Sequence, residues 1–146
     1  MSSHTAAARA EACIQRWIDL YQLGEPNGID RSTFDAIIDP DFVEIQTHGV
    51  RLSGIGTVVK YFRDWYRVRP DIKEIALTNF YFCSKKNVGF FQWRFSFTYE
   101  GHAINVPHAC GIVHYKNNKM ISITEYEVSG PIVDWDGTAQ GTGLNV

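Results

Sequence analysis

Residues 119–128 read KMISITEYEV, and their period is that of a β-strand. Ile121, Ile123, Glu125 and Glu127 share one face, and Ser122, Thr124, Tyr126 and Val128 share the other. A half-buried strand alternates apolar and polar residues. Here the isoleucine face begins apolar and continues with two carboxylates. Two arrangements satisfy the pattern: the strand leaves the core after Ile123, or both acids point into an enclosed space that is not bulk solvent.

Three further strand-like runs precede it, IKEIALTNFYF (72–82), VGFFQWRFSFTY (88–99) and AINVPHACGIVHY (103–115). The links SKKN, EGH and KNN are short and turn-like, which predicts an antiparallel meander. Upstream, Ala10, Cys13, Ile14, Trp17, Ile18 and Tyr21 recur at helical spacing and predict a helix from Ala6 to about Tyr21. LGEPNG (23–28) ends it. A short second helix is expected behind Ser32 as N-cap with Asp35 at the capping-box position; it carries Phe34, Ile37 and Ile38 and stops at Asp39-Pro40.

DFVEIQT (41–47) alternates as a strand, turns at His48-Gly49 and resumes over Val50–Leu52. Ser53 is placed to cap a third helix to about Arg67, with Ile55, Val58, Val59, Phe62, Trp65 and Tyr66 as its buried stripe. The order α-α-β-α-β-β-β-β is an α+β arrangement with helices on one face of a curved sheet.

At 146 residues the chain is expected to form one domain, over residues 1–130, with an extended or disordered tail at 131–146 in which Ile132, Val133 and Trp135 can pack. A formal net charge of −2 gives no reason to expect nucleic acid or an anionic membrane surface as partner. Cys13, Cys83 and Cys110 are odd in number and form no C-x-x-C pair, which fits reduced thiols in the cytoplasm. No long apolar run suggests a membrane span, and the N-terminus lacks a signal-peptide core. Aromatic residues make up 14% of the chain, enough to fill a large core or line a cavity for an apolar ligand. Nucleotide-binding glycine loops and metal-ligand spacings are absent, so neither a cofactor nor a metal is expected.

FxxIIDPDFVEIQTHGVRLSGIGTVVKYF (34–62) and NKMISITEYEV (118–128), in this order and spacing, resemble segments of the cone-shaped α+β fold. Nuclear-transport-factor-like domains, ketosteroid isomerase, scytalone dehydratase and SnoaL-type polyketide cyclases share that fold. The resemblance covers about residues 6–128. It implies a curved antiparallel sheet wrapped by three N-terminal helices, a blind pocket between them, and dimerisation through the outer sheet face. Laid on the SnoaL pattern, the last strand puts Glu125 at the acidic position that moves a proton, although the usual His-Trp before it is Ile123-Thr124. The functional positions of ketosteroid isomerase fall near Trp17, Ile45 and Cys110, and all differ. No pair of acids brackets an arginine as in limonene epoxide hydrolases.

The resemblance thus implies an isomerase or cyclase acting by general acid–base catalysis on an apolar polycyclic biosynthetic intermediate. Glu125 is its first catalytic candidate, with Glu127 or His108 in the complementary role. His108 shares a face with Ile104, Val106, Cys110, Ile112 and His114, either lining the cavity or bonded within the core. Trp17, Tyr21, Tyr61, Trp65, Trp93 and Cys110 are the substrate-binding candidates. The alternatives are a dehydratase resembling scytalone dehydratase, led by His108 and tyrosines, and a non-catalytic binding or dimerising adaptor. Glu44 and Gln46 are expected to face solvent, opposite Val43 and Ile45.

Overall fold

A computed structural model describes residues 3–46, 51–127, 132–133 and 139–140. Helix α1 (Ser3–Asp19) presents Ala10, Cys13, Ile14, Trp17 and Ile18 to the core, as its spacing predicts. The chain then makes a 3-10 turn at Pro26–Gly28 and a one-turn helix α2 (Arg31–Phe34). Asp30, not Ser32, caps α2: its carboxylate accepts from Ser32 N at 2.9 Å, and Asp30 N donates to Thr33 Oγ1 at 3.2 Å. Helix α2 ends at Phe34, and Ile38 already begins strand β1 (Ile38–Ile45). A short β2 (Arg51–Ser53) pairs antiparallel with β1.

Gly54, rather than Ser53, takes the N-cap position of α3 (Ile55–Val68). Its φ of 84° is a conformation that a side chain disfavours, and its N–H donates to Phe42 O at 2.7 Å. Arg69, in the left-handed region, and Pro70 close the helix. Strands β3 (Asp71–Cys83), β4 (Val88–Tyr99), β5 (His102–Lys116) and β6 (Lys119–Glu127) form the expected antiparallel meander.

The six-stranded sheet runs β2-β1-β6-β5-β4-β3. Its one departure from an all-antiparallel arrangement is β1, which lies parallel to β6. The connection from β1 to β6 passes through α3 and three strands, and this length lets the two strands run the same way. Register shifts in β3 and opposite Trp93–Phe95 in β5 are bulges that bend the sheet around the helices. Trp17, Phe34, Phe42 and Phe62 fill the space between sheet and helices with fully buried rings. Tyr115 ties β5 to α1 by donating to Ala10 O at 2.8 Å.

Beyond β6, Ile132–Val133 and Ala139–Gln140 make a small antiparallel ribbon, β7 and β8. The expected turn at His48-Gly49, strand residues Thr47 and Val50, and the packing of Trp135 lie outside the described residues. Among the described residues, no helix is long and apolar enough to cross a membrane.

Candidate active site

The inner face of β4 is aromatic because Phe91, Trp93, Phe95 and Phe97 alternate with Gln92, Arg94 and Ser96. Phe91 packs into the floor of the sheet. Trp93, Phe95 and Phe97, together with Ile75 of β3, form the wall of a pocket of about 430 Å³, counted out to its open mouth. Tyr61 and Trp65, one turn apart on α3, form the opposite wall with Tyr21 from the end of α1. Trp65 Nε1 donates to Tyr21 O at 2.8 Å and meets Phe97 edge-on at 5.0 Å, which pins α3 across the mouth of the sheet. Gln46 and Glu125 supply the remaining polar surface.

Glu125 is 6% exposed, so β6 does not leave the core after Ile123. Its carboxyl enters the pocket from the strand face that Ile123 also buries. The Glu127 side chain lies outside the described residues.

Glu44 overturns the expectation for β1. It is fully buried, and Phe42, Glu44 and Gln46 form the inner face while Ile45 lies outside. The parallel pairing is the cause. Glu44 stands beside Ile123 and Ile45 beside Thr124, and residues side by side in a ladder point the same way. Phe42 shares the parity of Glu44, a signal in the sequence that Val43 and Ile45 outweighed.

Gln46 links this buried acid to the pocket. Its Nε2 donates to Glu44 Oε1 at 2.7 Å and to Tyr61 Oη at 3.3 Å. Tyr61 Oη in turn lies 3.3 Å from Tyr21 Oη. Among the described residues, Glu44 Oε2 and Trp93 Nε1 have no hydrogen-bond partner. Burial pushes the Glu44 carboxyl up to about 7, opposed by the bond from Gln46. Both tyrosines titrate well above the ordinary phenol range, first through burial; Tyr61 then raises Tyr21, and Glu44 and Glu125 add repulsion at both. The segments that meet here therefore bring groups that feel one another: Tyr21 just beyond α1, Tyr61 on α3, and one acid each on β1 and β6.

Of the expected substrate contacts, Tyr21, Tyr61, Trp65 and Trp93 line the pocket. Trp17 does not. One helical turn before Tyr21, it sits below the pocket floor with its ring 5.1 Å from Phe42 and 5.2 Å from Phe62. His108 and Cys110 are also corrected. Trp93 pairs with Ala109 but Phe95 with Val106, so β5 carries one extra residue at Pro107–His108. The bulge reverses the parity of the strand: Val106, Ala109, Gly111 and Val113 face inward, and His108 and Cys110 turn to the outer face. Proline, which cannot donate to a ladder, is the sequence signal for this bulge. His108 lines a separate groove with Asn79, Gln92 and Arg94 instead.

No family model matches the chain, and no curated protein matches it. Solved structures do. An LEH-like epoxide hydrolase of M. tuberculosis is 14% identical, with 84% of each chain covered and a TM-score of 0.63. A candidate SnoaL-like polyketide cyclase from Jannaschia sp. CCS1 is 13% identical over 83% of this chain and 86% of that one, with a TM-score of 0.60. A protein of ketosteroid isomerase-like fold from Catenulispora acidiphila, solved with trimethylamine, is 11% identical over 78% and 83% of the two chains, with a TM-score of 0.62. The chain has the fold these proteins share, the α+β fold anticipated from its element order.

Proposed function

We propose that the protein is an isomerase or cyclase that needs no cofactor and works by acid–base catalysis on a mostly apolar ring compound. The observation that carries this reading is Glu125, a carboxyl with 6% exposure in a mostly aromatic pocket whose one wall is Trp93, Phe95, Phe97 and Ile75. A carboxyl held away from water exchanges its proton with a bound molecule instead of with solvent. Glu125 removes a proton from the substrate and returns it elsewhere, while the rings fix the carbon skeleton and the Tyr21–Tyr61 pair orients its polar end. The pocket admits one end of a polycyclic molecule, with the remainder at the mouth.

The fold neighbours support this reading at the level of reaction type, since they include a candidate cyclase and an epoxide hydrolase. A dehydratase led by His108 is disfavoured, because that side chain faces away from the pocket. The working unit is a homodimer formed through the outer sheet face. There Tyr81, Phe90, Ile112, Thr124 and Ile45 stand side by side across five strands, and Tyr81 is 62% and Phe90 40% exposed.

The test is a screen of ring ketones, enones and epoxides by mass spectrometry and NMR, repeated with Glu125→Gln. Turnover that collapses in the variant while binding persists supports the reading. Equal turnover by the variant sinks it, as does the absence of turnover across a panel that the pocket binds.

A further inference from the structure

The hydrogen bonds around Tyr61 have a fixed direction, and that direction restricts what the pocket can hold. The amide of Gln46 turns its NH₂ toward Glu44 Oε1, at 2.7 Å, and that oxygen accepts whether the carboxyl is ionised or carries its proton on Oε2. The same NH₂ reaches Tyr61 Oη at 3.3 Å, which makes Tyr61 an acceptor on that side. Tyr61 and Tyr21 share a single contact between their hydroxyl oxygens, at 3.3 Å. Two hydroxyls carry two protons, and one proton serves the bond between them. Gln46 takes neither, because it donates. One O–H is therefore not spent within the Tyr21–Tyr61–Gln46 set, and both hydroxyl-bearing side chains line the pocket.

We infer that Glu44, acting through Gln46, is a positioning residue that makes the Tyr21–Tyr61 pair a hydrogen-bond donor to the pocket. The ligand class that follows is a neutral molecule with an oxygen acceptor, a carbonyl or cyclic ether, placed at the tyrosines. Anionic ligands are disfavoured. Glu44 and Glu125 both repel negative charge developing on either tyrosine, and among the described residues no Lys, Arg or His lines the pocket. The first oxygen of the buried Glu44 carboxyl accepts from Gln46, and its second has no hydrogen-bond partner among the described residues. A carboxyl retained in the core at that cost has the Gln46 contact as its product. This inference rests on the pocket being the ligand site, as proposed above, and is independent of the proton transfer assigned to Glu125.

The probes are indan-1-one and indane, which match in shape and differ in the carbonyl. Affinities are read from quenching of Trp65 and Trp93 fluorescence, with circular dichroism and thermal midpoints to confirm folding. The wild type is expected to bind the ketone about tenfold more tightly than the hydrocarbon. The ratio falls to near unity in the double variant Y21F/Y61F, where no hydroxyl remains. It also falls in Glu44→Leu, which frees the Gln46 amide to turn over. Glu44→Gln keeps it, because the new amide oxygen still accepts from Gln46. A purely structural role for Glu44 lowers both affinities together and leaves the ratio unchanged, and that outcome overturns the inference. A wild-type ratio near unity, a ratio that survives loss of both hydroxyls, or failure of both probes to bind overturns it too. The ratio is read from binding alone and the reaction from turnover, so the two readings fail separately.

Discussion

Glu44 stands beside Ile123 in the parallel β1–β6 ladder, two residues short of Glu125, and both carboxyls turn to the same inner face of the sheet. This parallel pairing, the only one among the described strands, thus brings two buried acids toward one pair of tyrosines. Keeping both there has consequences for stability as well as chemistry.

Glu44 makes the protein less stable as pH rises. Its carboxyl titrates near 4.5 in the unfolded chain and at about 7 in the folded one, because burial penalises the charge. The folded state therefore holds the proton more tightly, and this contribution is fully present below about pH 4.5. It is lost progressively as pH rises to about 7, by ~3 kcal/mol in all. Glu44→Gln is expected to be more stable than the wild type at about pH 8 by up to that amount, with the difference shrinking toward zero near pH 4.5. Urea midpoints of both proteins across this range check it, and a difference that does not vary with pH refutes it.

Gly111 lies under the ring of Phe91, its partner across β4 and β5. A Cβ at this position would stand 2.5 Å from Phe91 Cε1 and 3.0 Å from Thr124 O. Gly111→Ala is expected to cost about 1–3 kcal/mol. Adding Phe91→Leu should recover part of the loss, as measured by chemical denaturation. A double variant with the summed cost of the two single changes would show that the ring is not the obstacle.

His108 gives the opposite expectation. On the outer side of the bulge its side chain is exposed, so His108→Ala should change stability by no more than about 0.5 kcal/mol. Ligand binding should be unaffected. Loss of pocket binding in this variant would contradict the inward-facing set assigned to β5.

Phe90→Lys tests the dimer. A charge in the middle of the Tyr81–Phe90–Ile112 row should shift the sedimenting species from dimer to monomer while the far-ultraviolet spectrum stays native. A wild-type protein that sediments as a monomer at micromolar concentration would remove the proposed interface.

Most of the fold was legible because its signals are local. Strand β4 was read to its terminal residues, since five aromatic residues alternate with polar ones between two turns. The stripe on α3 was equally plain, with Trp65 the one member left half-buried at the pocket. The site was less legible because its decisive relations are distant. Both faces of residues 41–47 carry apolar side chains, and only the strand that pairs with β1, far along the chain, decides which is buried. His108 and Cys110 were misplaced by a single inserted residue, which a pattern of strict period two cannot register. Trp17 was misplaced by depth. Helical periodicity says which side of a helix is covered, but not whether a ligand or another ring covers it.

The parallel pairing of β1 with β6 also fixes when the site can exist. Its two acids belong to the first and last long strands of the sheet, so no early fragment of the chain can bring them together. Helices and the β3–β5 meander can form from near neighbours, whereas closing β1 onto β6 costs the entropy of the longest loop in the sheet. During synthesis, Glu44 waits with its strand edge uncovered until the end of the domain has emerged. The slowest step of folding and the completion of the candidate active site are then the same event, and refolding followed by ligand binding should report the final kinetic phase.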